Sequence, residues 1–219
     1  MEKSRKKVGL ALGSGGVRGL AHIGALKVLI ANNIPIDLIA GTSVGAWVGA
    51  FYALTQDLEK LEDATVGHRR HKFFALAEPS FGGGLIKGKK FESFLHQWFG
   101  DAQFSDLAVP TTVVACDIFS GEEVDIADGP IVPAVRASMS IPLMFRPMQY
   151  RGQTLVDGAL VNPLPDNIVR AMGADIVISV DLDFSLKTST DAEPLTLKTT
   201  ALRSYSIMRH YLARYSAIT

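Results

Sequence analysis

Twice near its start the chain runs from a short apolar stretch into a cluster of glycines and then into residues of helical periodicity. Val8 to Leu12 leads into Gly13-Ser14-Gly15-Gly16, after which Val17 to Ala31 places Leu20, Ile23, Leu26 and Ile30 on one face. Asp37 to Ala40 leads into Gly41-Thr42-Ser43-Val44-Gly45, and an apolar helix follows to about Leu54. Strands this short and this uniformly apolar have no side for water, and a helix directly after each is the building unit of a parallel sheet covered by helices. Two such units in succession predict an α/β fold, a sheet with helices on its faces.

The rest of the chain continues the alternation. Asp57 to Trp98 reads as mostly helical, broken by Pro79 and Gly82-Gly83-Gly84, which suit a surface loop or lid. Thr111 to Ile118 and Glu123 to Ile126 read as strands joined through Ser120-Gly121 in a hairpin, and Pro130 to Ser138 as a short helix. Tyr150 to Val156 reads as one strand running into Asp157-Gly158, Pro165 to Met172 as a helix, and Asp175 to Val180 as a buried parallel strand. Ser185 to Glu193 is polar and linker-like, and a last helix runs to Thr219 without a stop signal, as in a chain cut from something longer. No internal repeat is present.

Composition narrows the function classes. With 47% hydrophobic and 20% charged residues, the 219-residue chain can bury enough apolar surface to fold as one compact domain. Lys and Arg balance Asp and Glu at 22 each, against a dedicated nucleic-acid binder. Cys116 is the only cysteine, so neither an intrachain disulfide nor a cysteine-based zinc site is available, and a reducing, cytoplasmic compartment is the simpler reading. Lys3, Arg5, Lys6 and Lys7 precede an apolar run as in a signal peptide, but Gly13, Ser14, Gly15, Gly16 and Arg18 interrupt it. Leu38 to Gln56 is uncharged, with Gly41, Gly45 and Gly49 at the spacing of a transmembrane dimerisation helix. Thr42, Ser43, Thr55 and Gln56, and the missing aromatic belts, favour a buried core segment instead.

The chemistry starts at Gly41-Thr42-Ser43-Val44-Gly45. A serine between glycines on a sharp strand-to-helix turn projects its hydroxyl clear of the backbone, as a nucleophile requires. The glycine loop Gly13 to Gly19 supplies amides at a helix start, where they can face a developing oxyanion. The competing reading, a dinucleotide loop, fails in both frames: one needs glycine at Arg18, the other at Ser14. A base for the serine is not found among His22, His68, His71, His96 and His210, none of which sits in a short loop after a strand. His22 reads as helix packing, Cys116 as a small core residue, and His68 with His71 lacks a third metal ligand. Asp157, at a strand end beside Gly158, has the placement of an exposed functional carboxylate and can itself be the base. Plainer roles stay open: a small turn residue for Ser43, a turn cap for Asp157, a surface charge for Arg18.

Taken together, these residues resemble the patatin-like phospholipases of bacterial type. Ser14 to Gly19 is similar to the family's oxyanion motif, Gly41 to Gly45 to its nucleophile elbow, and Asp157-Gly158-Ala159 to its aspartate motif. Ala137 to Pro142, with Phe145 and Pro147, resembles the segment before the aspartate, and the likeness extends from about Lys7 to Asp181. Ser14 departs from the glycine common there, while Gly15 and Gly16 keep the close approach of backbone to substrate. The resemblance implies a three-layer α/β/α sandwich with a mostly parallel central sheet, a catalytic domain over residues 1–181, and a linker and C-terminal helix over 182–219. It implies a lipid acyl hydrolase that cleaves carboxylic esters of phospholipids or lysophospholipids. In that enzyme Ser43 and Asp157 form a catalytic dyad, the amides of Gly15 and Gly16 form an oxyanion hole, Arg18 orients the loop or meets a lipid phosphate, and neither metal nor cofactor takes part. The alternative is a catalytically weak lipid-binding or regulatory protein on the same fold. Oligomeric state stays open, a homodimer included.

The neutral total conceals a division. Residues 91 to 193 hold 15 acids and 5 bases, and the remainder is correspondingly basic. Arg69, Arg70, Lys72, Lys87, Lys89 and Lys90 flank the glycine-rich loop among Phe73, Phe74, Phe81 and Phe91, and Lys198, Arg203, Arg209 and Arg214 follow the last acid, Glu193. Solvated surface is the default reading of such runs. In a lipid hydrolase the basic, aromatic stretch is also suited to peripheral contact with an anionic membrane.

Overall fold

The computed structural model describes residues 5–65, 88–183 and 196–216. The elements run in the order β1 (Val8–Leu12), a 3-10 turn (Gly16–Gly19), α1 (Leu20–Ala31), β2 (Leu38–Thr42), α2 (Val44–Thr55), α3 (Leu58–Thr65) and α4 (Lys89–Phe99). They continue with β3 (Thr111–Asp117), β4 (Glu123–Ile126), α5 (Ile131–Ser138), β5 (Met148–Tyr150), β6 (Gln153–Asp157), a 3-10 turn (Gly158–Leu160), α6 (Asp166–Ala171), β7 (Ile176–Val180) and α7 (Leu197–Ser216). The chain is an α/β fold around one mixed sheet of order β5-β6-β3-β2-β1-β7, with β4 also on β3.

The alternation of strand side chains divides the interior in two. Leu10, Leu12, Ile39, Val113 and Ala115 point to one face, where α1, α2, α4 and α5 bury Leu26, Trp47, Phe51, Leu95 and Ile131 against them. Ala11, Leu38, Ala40 and Val114 point to the other, under Ile168 and Val169 of α6. The uncharged stretch Leu38 to Gln56 is therefore β2, a sharp turn and α2, buried inside the sandwich from Leu38 to Ala53 and emerging at Gln56. No helix among the described residues is long and apolar enough to cross a membrane.

Register explains where the site forms. Strands β1, β2, β3 and β7 are mutually parallel, with Thr42 opposite Val114. On β3, Val113 to Cys116 pair with β4, while Ala115 to Asp117 pair with β6, Asp157 lying opposite Ala115. Two strands cannot pair with the same residues along one edge, so β4 holds one edge of β3 while β2 and β6 share the other, end to end. Their C-terminal ends meet between Val114 and Ala115, which brings Ser43 and Asp157 together.

Three local expectations change. Tyr150 to Val156 is a hairpin, β5 and β6 turning at Arg151 and Gly152, both at positive φ (49 and 84). That geometry matches the twist of paired strands, and Arg151 in place of the usual Asn or Asp hides it in the sequence. The strand expected from Asp175 to Val180 does pair in parallel with β1, but as the last strand of the sheet it is half-exposed, Ile176 at 44%. The helix expected from Val17 begins as a 3-10 turn, with α1 proper starting at Leu20.

Candidate active site

Ser43 occupies the single residue between β2 and α2, at φ 57 and ψ −122. A non-glycine residue there is strained, by roughly 1–3 kcal/mol, and persists only where its surroundings over-determine it. Here the Ser43 amide donates to Ser138 Oγ at 2.8 Å, and that hydroxyl donates in turn to the Val114 carbonyl at 2.6 Å. The Ser43 carbonyl accepts from the amides of Ala46 and Trp47. Gly45 lets the first turn of α2 lie on the end of β1: a Cβ there would stand 2.0 Å from the Leu12 carbonyl oxygen.

Asp157 ends β6 on the same spot, and where the sequence suggests an exposed carboxylate it is fully buried, because β6 carries it into the sheet against β3. Its Oδ2 accepts the Ser43 hydroxyl at 2.7 Å, its Oδ1 accepts the Ala159 amide at 2.9 Å, and its own amide donates to the Ser140 carbonyl at 3.1 Å. Burial pushes this carboxyl up to about 6, against the opposing pull of the Ala159 and Ser43 hydrogen bonds and of nearby Arg209. The turn-capping contact to Ala159 and the contact to Ser43 thus coexist, one on each oxygen.

The glycine loop is pinned at both ends. Gly13 and Ser14 donate their amides to the carbonyls of Val180 and Pro163, at 3.1 and 2.8 Å, and the Arg18 amide donates to the Gly15 carbonyl at 3.2 Å. Among the described residues the amides of Gly15 and Gly16 donate to no backbone carbonyl, which leaves two donors in the stretch where the resemblance puts an oxyanion hole. His22 is buried beneath the loop with Nε2 2.7 Å from the Gly13 carbonyl oxygen. Burial lowers its pKa to about 4, so it stays neutral and donates from Nε2.

A second cluster backs the loop. The guanidinium of Arg18 pairs with Asp183, and its Nε reaches the Gly15 carbonyl at 3.4 Å. Arg209 of α7 places Nη2 2.9 Å from Asp183 Oδ1 and Nε 2.5 Å from Oδ2. Ser14, the departure from the family's glycine, is buried and directs its hydroxyl to the same carboxylate at 3.5 Å. His210 Nδ1 contacts the Asp183 carbonyl. Arg209, grouped above with solvated surface charges, is instead buried. Tyr205, one turn before it on α7, has a solvent-shielded hydroxyl with no hydrogen-bond partner among the described residues, and burial together with the nearby Asp157 carboxylate drives the phenol far above its usual range.

Asp183 and Tyr205 are missing from the sequence reading, and Arg209 enters it only as a surface charge, because the polar stretch Ser185 to Glu193 reads as a linker and gives no hint that the helix beyond it returns. The signal that was available is the spacing of Ala201, Tyr205, Arg209 and Ala213, one face of a helix with an unexplained cation. His68, Arg69, Arg70, His71, Lys72, Phe73, Phe74, Phe81 and Lys87 lie outside the described residues. Lys89 and Lys90 open α4, and Phe91 packs in the core with its ring 5.4 Å from that of Phe145. Cys116 is buried and unpaired. Among the described residues no group of three or more His, Cys, Asp and Glu could hold a metal ion.

Known proteins resemble this chain in sequence and in fold. An uncharacterized NTE family protein of Mycobacterium tuberculosis is 35% identical over 193 residues, covering 87% of this chain and 53% of its own length. Human patatin-like phospholipase domain-containing protein 6 is 34% identical over 182 residues, 80% of this chain and 13% of that protein. The chain therefore spans about half the length of the first of these relatives and a small part of the second. The crystal structure of VipD from Legionella pneumophila superposes with a TM-score of 0.57 at 13% identity, over 71% of this chain and 46% of that one, a likeness of fold. The sequence model described as patatin-like phospholipase matches residues 10–168, from β1 through Ser43 and Asp157 into α6. On this match and on the identities above, the chain belongs to the patatin-like phospholipase family.

Proposed function

We propose that the protein is a lipid acyl hydrolase, cleaving carboxylic esters of phospholipids or lysophospholipids through Ser43 and Asp157. The observation that carries this reading is the 2.7 Å hydrogen bond from Ser43 Oγ to Asp157 Oδ2, with the serine on a strained turn and the carboxylate fully buried. Asp157 takes the hydroxyl proton as Ser43 Oγ bonds to the acyl carbon, and the carbonyl electrons move onto an oxyanion facing the amides of Gly15 and Gly16. Collapse of that intermediate breaks the ester bond, and the departing alkoxide takes the proton back from Asp157. Water, deprotonated by Asp157, then releases the fatty acid and restores Ser43. Arg18, tied to the Gly15 carbonyl and to Asp183, serves here to hold the loop in shape.

The same reading places the protein at an anionic lipid surface. Helix α7 contains no acid and turns Arg203, Ile207, Tyr211 and Arg214 to solvent, a mixture of cations and apolar groups that supports peripheral contact. The deciding experiment is reaction with a fluorophosphonate probe followed by peptide mapping. Adduct on Ser43, abolished in Ser43→Ala and in Asp157→Asn, supports the hydrolase; folded protein without adduct supports the lipid-binding alternative.

A further inference from the structure

The sheet holds Asp157 on one side only. Its strand β6 lies along β3, with Asp157 opposite Ala115, but on the other edge β5 accompanies β6 no further than Leu155. There the Asp157 amide donates to the carbonyl of Ser140, which belongs to the loop after α5. The carboxylate is thus seated between a rigid strand and a loop that runs on through Leu143, at φ 67. Whatever keeps that loop in place decides how closely the carboxylate meets Ser43.

Arg136 of α5 reaches both ends of it. Nη1 donates to Ser140 Oγ at 2.6 Å, Nη2 donates to the Arg146 carbonyl at 3.4 Å, and the Arg136 carbonyl accepts the Ser140 hydroxyl at 2.8 Å. The planar fork of an arginine can span two acceptors in this way, whereas the point charge of a lysine cannot. The residue is 3% exposed, and its guanidinium lies 5.9 and 5.1 Å from the ring centres of Phe91 and Phe145. It has its space because residue 88 is glycine: a Cβ there would stand 2.1 Å from Nη2. Among the described residues no carboxylate forms an ion pair with it, and Glu92 of α4 acts only from a distance. A buried cation served by neutral acceptors and aromatic faces is a costly way to fill a core, where an apolar side chain of similar volume is often as stable or more so. Packing alone does not account for an arginine here.

We infer that Arg136 is a positioning residue for Asp157: its guanidinium staples the loop from Ser140 to Arg146, so that the Ser140 carbonyl fixes the place from which the carboxylate accepts the Ser43 proton. It acts through Ser140 and not on the reacting atoms. Ser138, two residues before Ser140, holds the Ser43 amide, so the end of α5 steadies both halves of the pair. The inference rests on the hydrolase reading for the role of the carboxylate, and its test separates the two.

Arg136→Met keeps an unbranched apolar stem between Phe91 and Phe145 and removes the donors, while Ser140→Ala removes the acceptor and leaves the charge. Each is expected to lower kcat on p-nitrophenyl butyrate by about ten- to a hundredfold with KM within about twofold of the parent, and the double variant to fall little below the worse single, since both break one contact. A readout that needs no turnover is the titration of the Asp157 carboxyl, followed by carbon-13 NMR and assigned through Asp157→Asn. Burial raises it to about 6 in the parent, and a loosened seat admits water and brings it about half a pH unit lower or more in both variants, whereas loss of the Arg136 charge alone would push it upward. Ser43, the Ala159 amide, Cys116, Tyr205 and Arg209, which also act on this carboxyl, are the same throughout. In an active parent, unchanged kcat or unchanged titration in variants shown to be folded by chemical denaturation overturns the assignment, as do losses that multiply in the double variant. Should Arg136→Met fail to fold, Ser140→Ala decides alone. If the parent cleaves no ester but the titration moves, the positioning role stands and the hydrolase reading falls.

Discussion

Ser43 and Asp157 are separated by 114 positions in sequence and by 2.7 Å in space, because two strands of opposite direction end against the same edge of β3. Had β6 run one pair further along β3, its aspartate would collide with Thr42. One pair less, and the hydroxyl would be out of reach. The contact is therefore fixed by backbone pairing on rigid strands and does not depend on a mobile loop finding its place.

If the two act as one unit, removing either costs nearly as much as removing both. Ser43→Ala and Asp157→Asn are each expected to lower kcat on p-nitrophenyl butyrate by about a thousandfold or more, with the double variant close to the singles. Near-additive losses in a double-mutant cycle would show that the two side chains act separately.

On the proposed mechanism, the state of Asp157 sets the pH response. A carboxyl that titrates near 6 must be ionised to accept the Ser43 proton, so the rate rises with pH up to about 6 and is level above it. The same shift bears on stability with the opposite sign. Below 3.8 both folded and unfolded carboxyls carry a proton; between there and about 6 the unfolded chain ionises while the folded one does not, so stability falls as pH rises, by about 3 kcal/mol at most. Asp157→Asn is expected to unfold at higher denaturant concentration than the parent at pH 8, with the advantage gone near pH 4.

His22 titrates in the contrary direction. Its folded pKa, about 4, lies below its unfolded value of 6.5, so stability is retained above 6.5 and lost as pH falls from there toward 4. In the parent this loss runs against the gain from Asp157 over nearly the same interval, leaving a flat acid profile. His22→Gln removes only the loss, and denaturant titrations of that variant are expected to show stability increasing on acidification from pH 6.5 to 4. A profile parallel to the parent's would place the acid sensitivity elsewhere.

The sequence discloses most of the sandwich and the pair at its centre because those parts are local. Apolar runs ending in Gly13 and Gly41 are strand–turn–helix units whatever surrounds them, and Gly45 beside Ser43 is a steric requirement of one turn. What it conceals is long-range. Arg151-Gly152 forms a turn from residues that do not advertise one, and β7 is apolar enough to read as buried though nothing pairs beyond it among the described residues. Asp183, Tyr205 and Arg209 owe their positions to the return of α7 across the site, a tertiary event that periodicity within a single helix does not encode.

Gly158 offers a steric test of the strand junction. A Cβ at this position would lie 2.3 Å from the Val114 carbonyl oxygen and 2.7 Å from its carbon, both backbone atoms in the central strand. Neither can move without breaking the pairing that seats Asp157. Gly158→Ala is expected to cost more than about 3 kcal/mol of stability and most of the activity, read by thermal melting and ester turnover. Gly24→Ala, on α1 with nothing within 4 Å of the added Cβ and no positive φ, disturbs no such contact and serves as the comparison.

The junction between α7 and the glycine loop is a balance of charges that single and double replacements can separate. Asp183 is 4% exposed and receives Arg18, Arg209 and Ser14. Asp183→Leu leaves the buried Arg209 guanidinium uncompensated, which costs about 3–5 kcal/mol, whereas an apolar pair of similar volume restores much of that. Asp183→Leu with Arg209→Met is therefore expected to recover most of the stability lost in Asp183→Leu, as measured by chemical denaturation. Turnover behaves differently. Arg18 has lost its anchor in both variants, and with it the restraint on the Gly15 carbonyl, so kcat stays about tenfold below the parent in the double variant while KM changes little. Recovery of kcat along with stability would mean that Asp183 serves only the packing of α7 and leaves the loop to His22 and the pinned amides of Gly13 and Ser14.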